Sequence, residues 1–543
     1  MHHSSQIIRA RPWLVFLGLA LIVLGPLLLP GYVLTVDLSW GPHMAASDML
    51  SNTAPLWWLI RALSVVLPGW VVEKLVLVGL PVLTGVGMWR LAARRSPGWS
   101  AYAAGLMYVV NPFTYERLMA GQWLVLAGYA LLPWLVDALL RLLERPGARR
   151  ALVLGAWAVG LGMASLHLLP MAALLLAAVI AASAWGRGWR PHTGRWLALA
   201  TALWLAAASA WLVPWLLHRS AAARAVAGFD AGQFEAFRTT AGPLGAPAAV
   251  AALQGFWGER TGLVVPGSST GAWFWLAAAT ILILAIIGLV LAVRRRDRLG
   301  LALAVAASLA WLLAIGVAWP PTAALTHLLV DHLPFYRGYR EPQKWAALIA
   351  LAYAYLASGA LAAAGTRLQP FWRRGLLAAT AVLVFAWAPL LPWGAAGQLT
   401  ATAYPAGWSD LNARLNALPA APPGHPDTLM LPWHQYIYLD FAHRPVANPS
   451  AQFFDRPGIV SNDPELPGVP PDSDLGIVNK IQNDVIDRRF FEHNAGSRLR
   501  ALGVHYVVLI KVSDWQNYGW LRAQSDLTLV AETPDWQLYQ AIP

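Results

Sequence analysis

The chain has 543 residues, 58% of them hydrophobic and only 12% charged, with a mean hydropathy of +0.51; that is too apolar for a soluble protein of this length and makes the bilayer its solvent. Its formal charge of +12 lies in short Arg-rich loops between apolar runs, which reads as a topology signal and excludes nucleic-acid binding. With no Cys at all, disulfides, thiolate metal sites and Cys nucleophiles are excluded, and the redox compartment stays open.

The first apolar run, Trp13 to Leu29, follows Arg9 and Arg11 like a signal sequence but ends in Pro26, Pro30 and Gly31 without a small-x-small cleavage site, so it reads as an uncleaved first span. Apolar segments of spanning length follow, and the predicted set of about eleven is 12–33, 70–92, 100–116, 122–143, 151–167, 168–186, 195–217, 272–293, 299–318, 344–364 and 374–393. Trp residues such as Trp57, Trp58, Trp311 and Trp393 fall near the ends of these runs, at headgroup depth. With the N-terminus in the cytoplasm, every inside loop is basic: Arg90, Arg94 and Arg95, then Arg141 to Arg150, Arg187 to Arg195, Arg294 to Arg298, and Arg367 to Arg374. The opposite loops, 34–69, 117–121, 218–271 and 319–343, carry mixed charge, so an odd number of spans places the tail outside.

Within 34–69, Ala54 to Leu63 has a helical apolar pattern too short to span and reads as an interfacial helix. The Ala/Gly/Pro-rich 218–271 loop, with Arg219, Arg224, Asp230, Glu235 and Arg238, reads as a segment partly ordered against the bilayer surface. After residue 395 the composition shifts to Asp, Asn and Pro, with strand-length runs at Asp427–Pro432, His505–Lys511, Leu527–Ala531 and Trp536–Ala541, and helical character at Trp408–Leu418 and Leu475–Leu502. The fold class is therefore mainly α: a polytopic transmembrane bundle over 1–395 and a small extracytoplasmic α/β domain over 396–543.

Three external clusters could carry chemistry. After the first span, Asp37 reads either as a general base taking a proton from an acceptor hydroxyl or as a cap on the following turn, with His43 and Asp48 as weaker alternatives. In the turn Asn111 to Trp123, Glu116 beside Arg117 reads as a contact to a sugar hydroxyl, metal or phosphate, or as a plain interfacial ion pair. Before the tenth span, Arg337-Gly338-Tyr339-Arg340-Glu341-Pro342-Gln343-Lys344 sets three cations and a carboxylate at the external surface, against the positive-inside rule. Such a set asks for an anionic partner, and a lipid phosphate fits, Arg binding it bidentately and Lys as a point charge; attraction to bulk headgroups is the alternative. No Walker loop, dinucleotide fingerprint, His-x-x-x-His pair or Gly-x-Ser-x-Gly elbow occurs in a supporting context.

Asp37 in the first external loop, the interfacial helix, Glu116, the Arg337–Lys344 segment and the external tail together resemble the GT-C superfamily of membrane glycosyltransferases. The phrases Arg340-Glu341-Pro342-Gln343-Lys344 and Leu502-Gly503-Val504-His505-Tyr506-Val507-Val508-Leu509 are also similar to those of bacterial and archaeal YfhO-like membrane proteins. The Trp-Trp-Asp signature of oligosaccharyltransferases is missing, and Glu116-Arg117 stands where metal-using members pair two acids. The resemblance implies an inverting-type glycosyl transfer from a polyprenyl-phosphate sugar to an extracytoplasmic glycan, lipid or protein. Asp37 would be the base, Arg340 and Lys344 would meet the leaving phosphate, and Glu116 would position donor or acceptor, with Arg117, Arg337, Tyr339 and Glu341 among the substrate contacts. No cofactor is required by the pattern, though a divalent cation is compatible with it. A transporter of lipid-linked sugars and a non-enzymatic envelope scaffold are the competing readings. Polar residues concentrated at the external face rather than the midplane favour the enzyme.

Overall fold

The computed structural model describes residues 12–43, 50–185, 190–229, 231–419, 426–467, 469 and 476–542. Each apolar segment read from the sequence forms helix: α1 (Pro12–Leu24), α3 (Gly69–Ala93), α4 (Trp99–Val109), α6 (Trp123–Glu144), α7 (Ala148–Ala164), α8 (Leu168–Ala184), α9 (Thr193–Leu216), α14 (Ala272–Arg295), α15 (Arg298–Ile315), α17 (Ala346–Gly365) and α18 (Pro370–Trp387). Among the described residues, seven helices are long and apolar enough to cross a membrane, while α1, α4, α7 and α8 are shorter. The 100–116 segment is broken for a local reason. Pro112 has no N–H to continue the ladder, Val110 is extended, and the Asn111 side chain accepts the Thr114 amide at 3.0 Å, so α5 (Pro112–Met119) starts afresh with its own cap.

The expected interfacial helix is α2 (Ala54–Ser64). Its Trp57 packs against Trp40 and Trp123, with ring centroids 5.7 and 5.6 Å apart, which fastens the amphipathic helix beneath the loop that carries Asp37. The 218–271 segment folds as short helices, α10 (Ala221–Ala227), α11 (Ala231–Ala236), α12 (Ala246–Ala251) and α13 (Trp257–Arg260), and the later loop contains α16 (Pro320–His332).

Beyond the bundle, β3 (Thr428–Leu431), β6 (Gly458–Ile459), β7 (Tyr506–Ile510), β8 (Leu527–Glu532) and β9 (Trp536–Ala541) form one sheet of order β6-β3-β7-β9-β8, parallel among β6, β3 and β7 and antiparallel across β7, β9 and β8. Every residue of β7 is buried because both faces are covered. Val507 and Leu509 join Leu429, Ile481 and Leu499 in one core, while Tyr506, Val508 and Ile510 face the apolar core that continues into the helices, as the two-residue period of a strand requires.

Backbone pairing and hydrogen bonds join this unit to the first external loop. β1 (Tyr32–Val33) pairs antiparallel with β2 (Ala401–Thr402), the Ala447 amide donates to the Val36 carbonyl at 2.7 Å, and Tyr404 donates to the Trp40 carbonyl at 2.9 Å. The loop from α1 is thus clamped between helices and sheet. A hairpin that the sequence reading does not include, β4 (Tyr436–Leu439) with β5 (Arg444–Ala447), lies over it.

Candidate functional site

Asp37 projects from the clamped loop into a cavity of about 560 Å³ lined by residues of the first external loop, the 228–263 segment, Arg340 and Glu341, and the C-terminal unit. The peptide of Asp37 is held from below, its amide donating to the Ala120 carbonyl at 2.9 Å. Gly121 makes this approach possible. It lies at φ +71, and a Cβ there would stand 2.5 Å from the Leu38 nitrogen and 3.1 Å from the Asp37 carbonyl carbon.

The side chain of Asp37 accepts from Tyr436 Oη at 3.0 Å on one oxygen and from Gln122 Nε2 at 3.3 Å on the other. The same Gln122 amide nitrogen also donates to Glu341 Oε2 at 3.2 Å, so one amide group bridges two carboxylates. Arg117 determines which way that amide points: its Nη1 donates to Gln122 Oε1 at 2.7 Å, turning the NH2 toward the acids. Glu341 is further bound by Lys344 Nζ at 2.7 Å and Trp257 Nε1 at 3.2 Å, with Arg117 Nη1 at 3.5 Å.

These surroundings push the two carboxylates apart. Burial would raise Glu341, but Lys344 and Arg117 overcome it and hold the group well below the usual carboxylate range. Asp37 is exposed where it faces the cavity, with protein packed around its base; that enclosure, and next the charge of Glu341, raise its pKa, against the hydrogen bonds from Tyr436 and Gln122. Burial and then Asp37 also raise Tyr436, which therefore stays a donor. The surroundings thus lower Glu341 and raise Asp37, two neighbouring acids set apart by what each one touches.

Across the cavity, the Arg340 guanidinium lies over Phe229 and Phe237, 4.2 and 4.5 Å from their ring centroids, and donates to Gln233 at 2.7 Å. This is a planar cation oriented by aromatic faces, suited to an anionic group in the cavity.

Not every candidate residue reaches the cavity. Glu116, Arg117, Tyr339 and Lys344 are buried behind its wall. Glu116 faces Glu259, and Arg117 packs over Phe256 at 4.2 Å. Lys344 is committed to Glu341, and Tyr339 donates to the Leu166 carbonyl. Arg337 turns away to the Ala227 carbonyl, and His43 pairs with Asp455 in a separate surface depression. Asp48 lies outside the described residues. Gln122, Trp257, Glu259, Gln233, Phe229 and Phe237 have no assigned site role in the sequence, and Tyr436 reads there only as one of the C-terminal rings that could stack on a sugar or pack in a core. Gln122 carries a signal in its place in the polar turn after Gly121.

A divalent cation does not fit this arrangement. Among the described residues no three His, Cys, Asp or Glu side chains form a group that could hold one. The carboxylates of Asp37 and Glu341 are already bound by amide, phenol, indole and ammonium donors.

His434 ties the C-terminal wall of the cavity together, bonding Glu465 through Nδ1 and Asp514 through Nε2 at 2.9 Å. Burial would lower the imidazole, but the two carboxylates win and raise it above its ordinary 6.5. A raised folded value means the tie is fully present below the unfolded pKa and is lost as pH rises through the folded one. Both acids are partly exposed, so the expected effect is small. Hydrogen exchange of the 461–467 amides, corrected for intrinsic rate, should accelerate by about tenfold at most over that window, and His434→Gln should remove the pH dependence. A flat profile in the unmodified protein would count against the charged tie.

No family model matches the chain, and no curated protein matches it. Among solved structures, ArnT from Cupriavidus metallidurans bound to undecaprenyl phosphate is similar over 98% of both chains, at 14% identity and a TM-score of 0.50. Two structures of the Archaeoglobus fulgidus oligosaccharyltransferase, one with Zn and sulfate and one tethered to an acceptor peptide, are similar at 13% identity and a TM-score of 0.44, over 92% of this chain and 67% and 68% of theirs, a looser likeness. The chain is thus a polytopic membrane protein that shares its fold with ArnT along nearly its whole length.

Proposed function

We propose that this protein is an inverting-type membrane glycosyltransferase that moves a sugar from a polyprenyl-phosphate donor to a hydroxyl of an extracytoplasmic glycan, lipid or protein. The observation that carries the reading is the pair that lines one cavity: the carboxylate of Asp37, held by Tyr436 and Gln122, and the aromatic-clamped Arg340. The solved ArnT with its bound undecaprenyl phosphate supports the donor class. The cavity volume of about 560 Å³ suits a sugar phosphate.

In this reaction the acceptor oxygen attacks the anomeric carbon, its proton passes to Asp37, and the bond from that carbon to the phosphate oxygen breaks. Arg340 meets the charge that develops on the departing polyprenyl phosphate. Glu341 stays ionised and, through Gln122, keeps Asp37 from titrating as an ordinary surface acid. Lys344 acts on Glu341 rather than on substrate. The basic loops support a cytoplasmic N-terminus, so that 1–395 is the membrane unit and 396–543 an extracytoplasmic unit that closes the cavity and meets the acceptor.

The test is transfer of labelled sugar from polyprenyl-phosphate donors to envelope fractions by the full chain in lipid. Arg340→Ala should lower kcat/KM by about 10²–10³-fold, the scale of losing one preorganised donor to developing charge, with the melting midpoint kept. Donor binding without turnover in the unmodified protein would favour a transporter, and neither binding nor turnover a scaffold.

A further inference from the structure

At the far end of α6 and α15 from Asp37, about 30 Å along helices of this length, lies a second cavity of about 570 Å³. Its walls are apolar on the side of Leu140, Leu143, Ile180 and Leu299, and cationic where Arg190, Arg296 and Arg298 stand. The two carboxylates in the wall are already matched: Glu144 by Arg94, and Asp297 by Arg95 at 2.8 Å. Arg298 reaches the Ser183 carbonyl at 3.3 Å, whereas Arg190 and Arg296 have no ion-pair partner among the described residues, which leaves the cavity with uncompensated positive charge. Thr193 is the second observation. It lines the cavity at 2% exposure, and its hydroxyl has no hydrogen-bond partner. It also opens the 24-residue α9, which carries no side-chain cap, so the positive end of that helix lies at the same place.

A buried hydroxyl without a partner is costly, and surplus guanidinium groups beside apolar walls call for a ligand with an anionic head and a hydrocarbon body. We propose that this cavity binds the phosphate headgroup of an anionic phospholipid, with Arg190 and Arg296 on the phosphate oxygens, Thr193 donating its hydroxyl, and the glyceryl and first acyl carbons against Leu140, Leu143 and Ile180. The site is separate from the proposed transfer reaction and does not depend on it.

The experiment is native mass spectrometry of the full chain released from detergent after equilibration with phosphatidylglycerol, phosphatidylcholine or inorganic phosphate. The unmodified protein should retain phosphatidylglycerol well above phosphatidylcholine. The double variant Arg190→Ala, Arg296→Ala should lose that retention by about tenfold or more, at roughly 1 kcal/mol for each cation at a membrane surface. Arg149→Ala with Arg150→Ala, in the first turn of α7, should leave it unchanged. Equal loss in both double variants would mean bulk attraction and overturn the site, as would undiminished retention in the first. Retention of phosphate alone, with no lipid, would overturn the lipid assignment. If the arginine variant fails to fold, Thr193→Val supplies the same comparison, and unchanged retention there overturns the proposal.

Discussion

Asp37→Asn should lower turnover by about 10²–10⁴-fold, the range for removing a positioned general base, with donor binding and the melting midpoint preserved. The isosteric amide keeps one carbonyl oxygen to accept from Tyr436 or from Gln122 but cannot take a proton. In the unmodified protein the pH profile of kcat/KM should carry an acid limb above the ordinary carboxylate value. The base works only when ionised, so activity falls as pH drops through the raised pKa of Asp37. Tyr436→Phe removes a bond that favours the ionised form and should move that limb further up. An acid limb that stays put in Tyr436→Phe, or an Asp37→Asn protein that still turns over, would take the base role from Asp37.

The largest stability effect is expected at Arg117, which is fully buried. It lies 3.5 Å from Glu341 and 3.9 Å from Glu116, orients Gln122, and packs over Phe256. Arg117→Ala removes the cation from beneath several buried acids, and breaking such a pair from one side costs about 3–5 kcal/mol, read as a drop in the melting midpoint in lipid. Glu116→Gln is the informative contrast. Glu116 faces Glu259, and two facing buried carboxyl groups favour one proton between them, so a neutral amide in that place should cost below about 1.5 kcal/mol, the ordinary worth of a hydrogen bond. Comparable destabilisation by both substitutions would mean that Glu116 is ionised and that the balance around Arg117 has been misassigned.

Both predictions turn on groups the sequence presents only in part. Asp37, Glu341 and Arg340 stand out in the chain because charges in external membrane loops are few and must be matched. Lys344 stands out equally, yet it faces Glu341 one turn away rather than the cavity. Glu116 and Arg117, adjacent in sequence, read as a self-contained ion pair, but at 3.9 Å they are more closely engaged with other groups, Glu116 with Glu259 and Arg117 with Gln122. Gln122 is chemically bland in sequence, and its role exists only because Gly121 lets the Asp37 loop approach and Arg117 turns the amide.

What the sequence determined by itself is what depends on local transfer energy. A run of apolar residues must satisfy its own backbone in lipid and so becomes helix, a strand buried on both faces must be apolar at every position, as Tyr506 to Ile510 is, and the break at Asn111-Pro112 follows from a missing donor and a ready cap. The tertiary structure alone decided which distant groups meet: the β4–β5 hairpin carries Tyr436 to Asp37 across 399 positions of chain, and the 228–263 segment brings Phe229, Phe237 and Trp257 to Arg340 and Glu341. Hairpin and short helices owe their positions to packing against the clamped loop and the bundle, a non-local energy that no window of sequence displays.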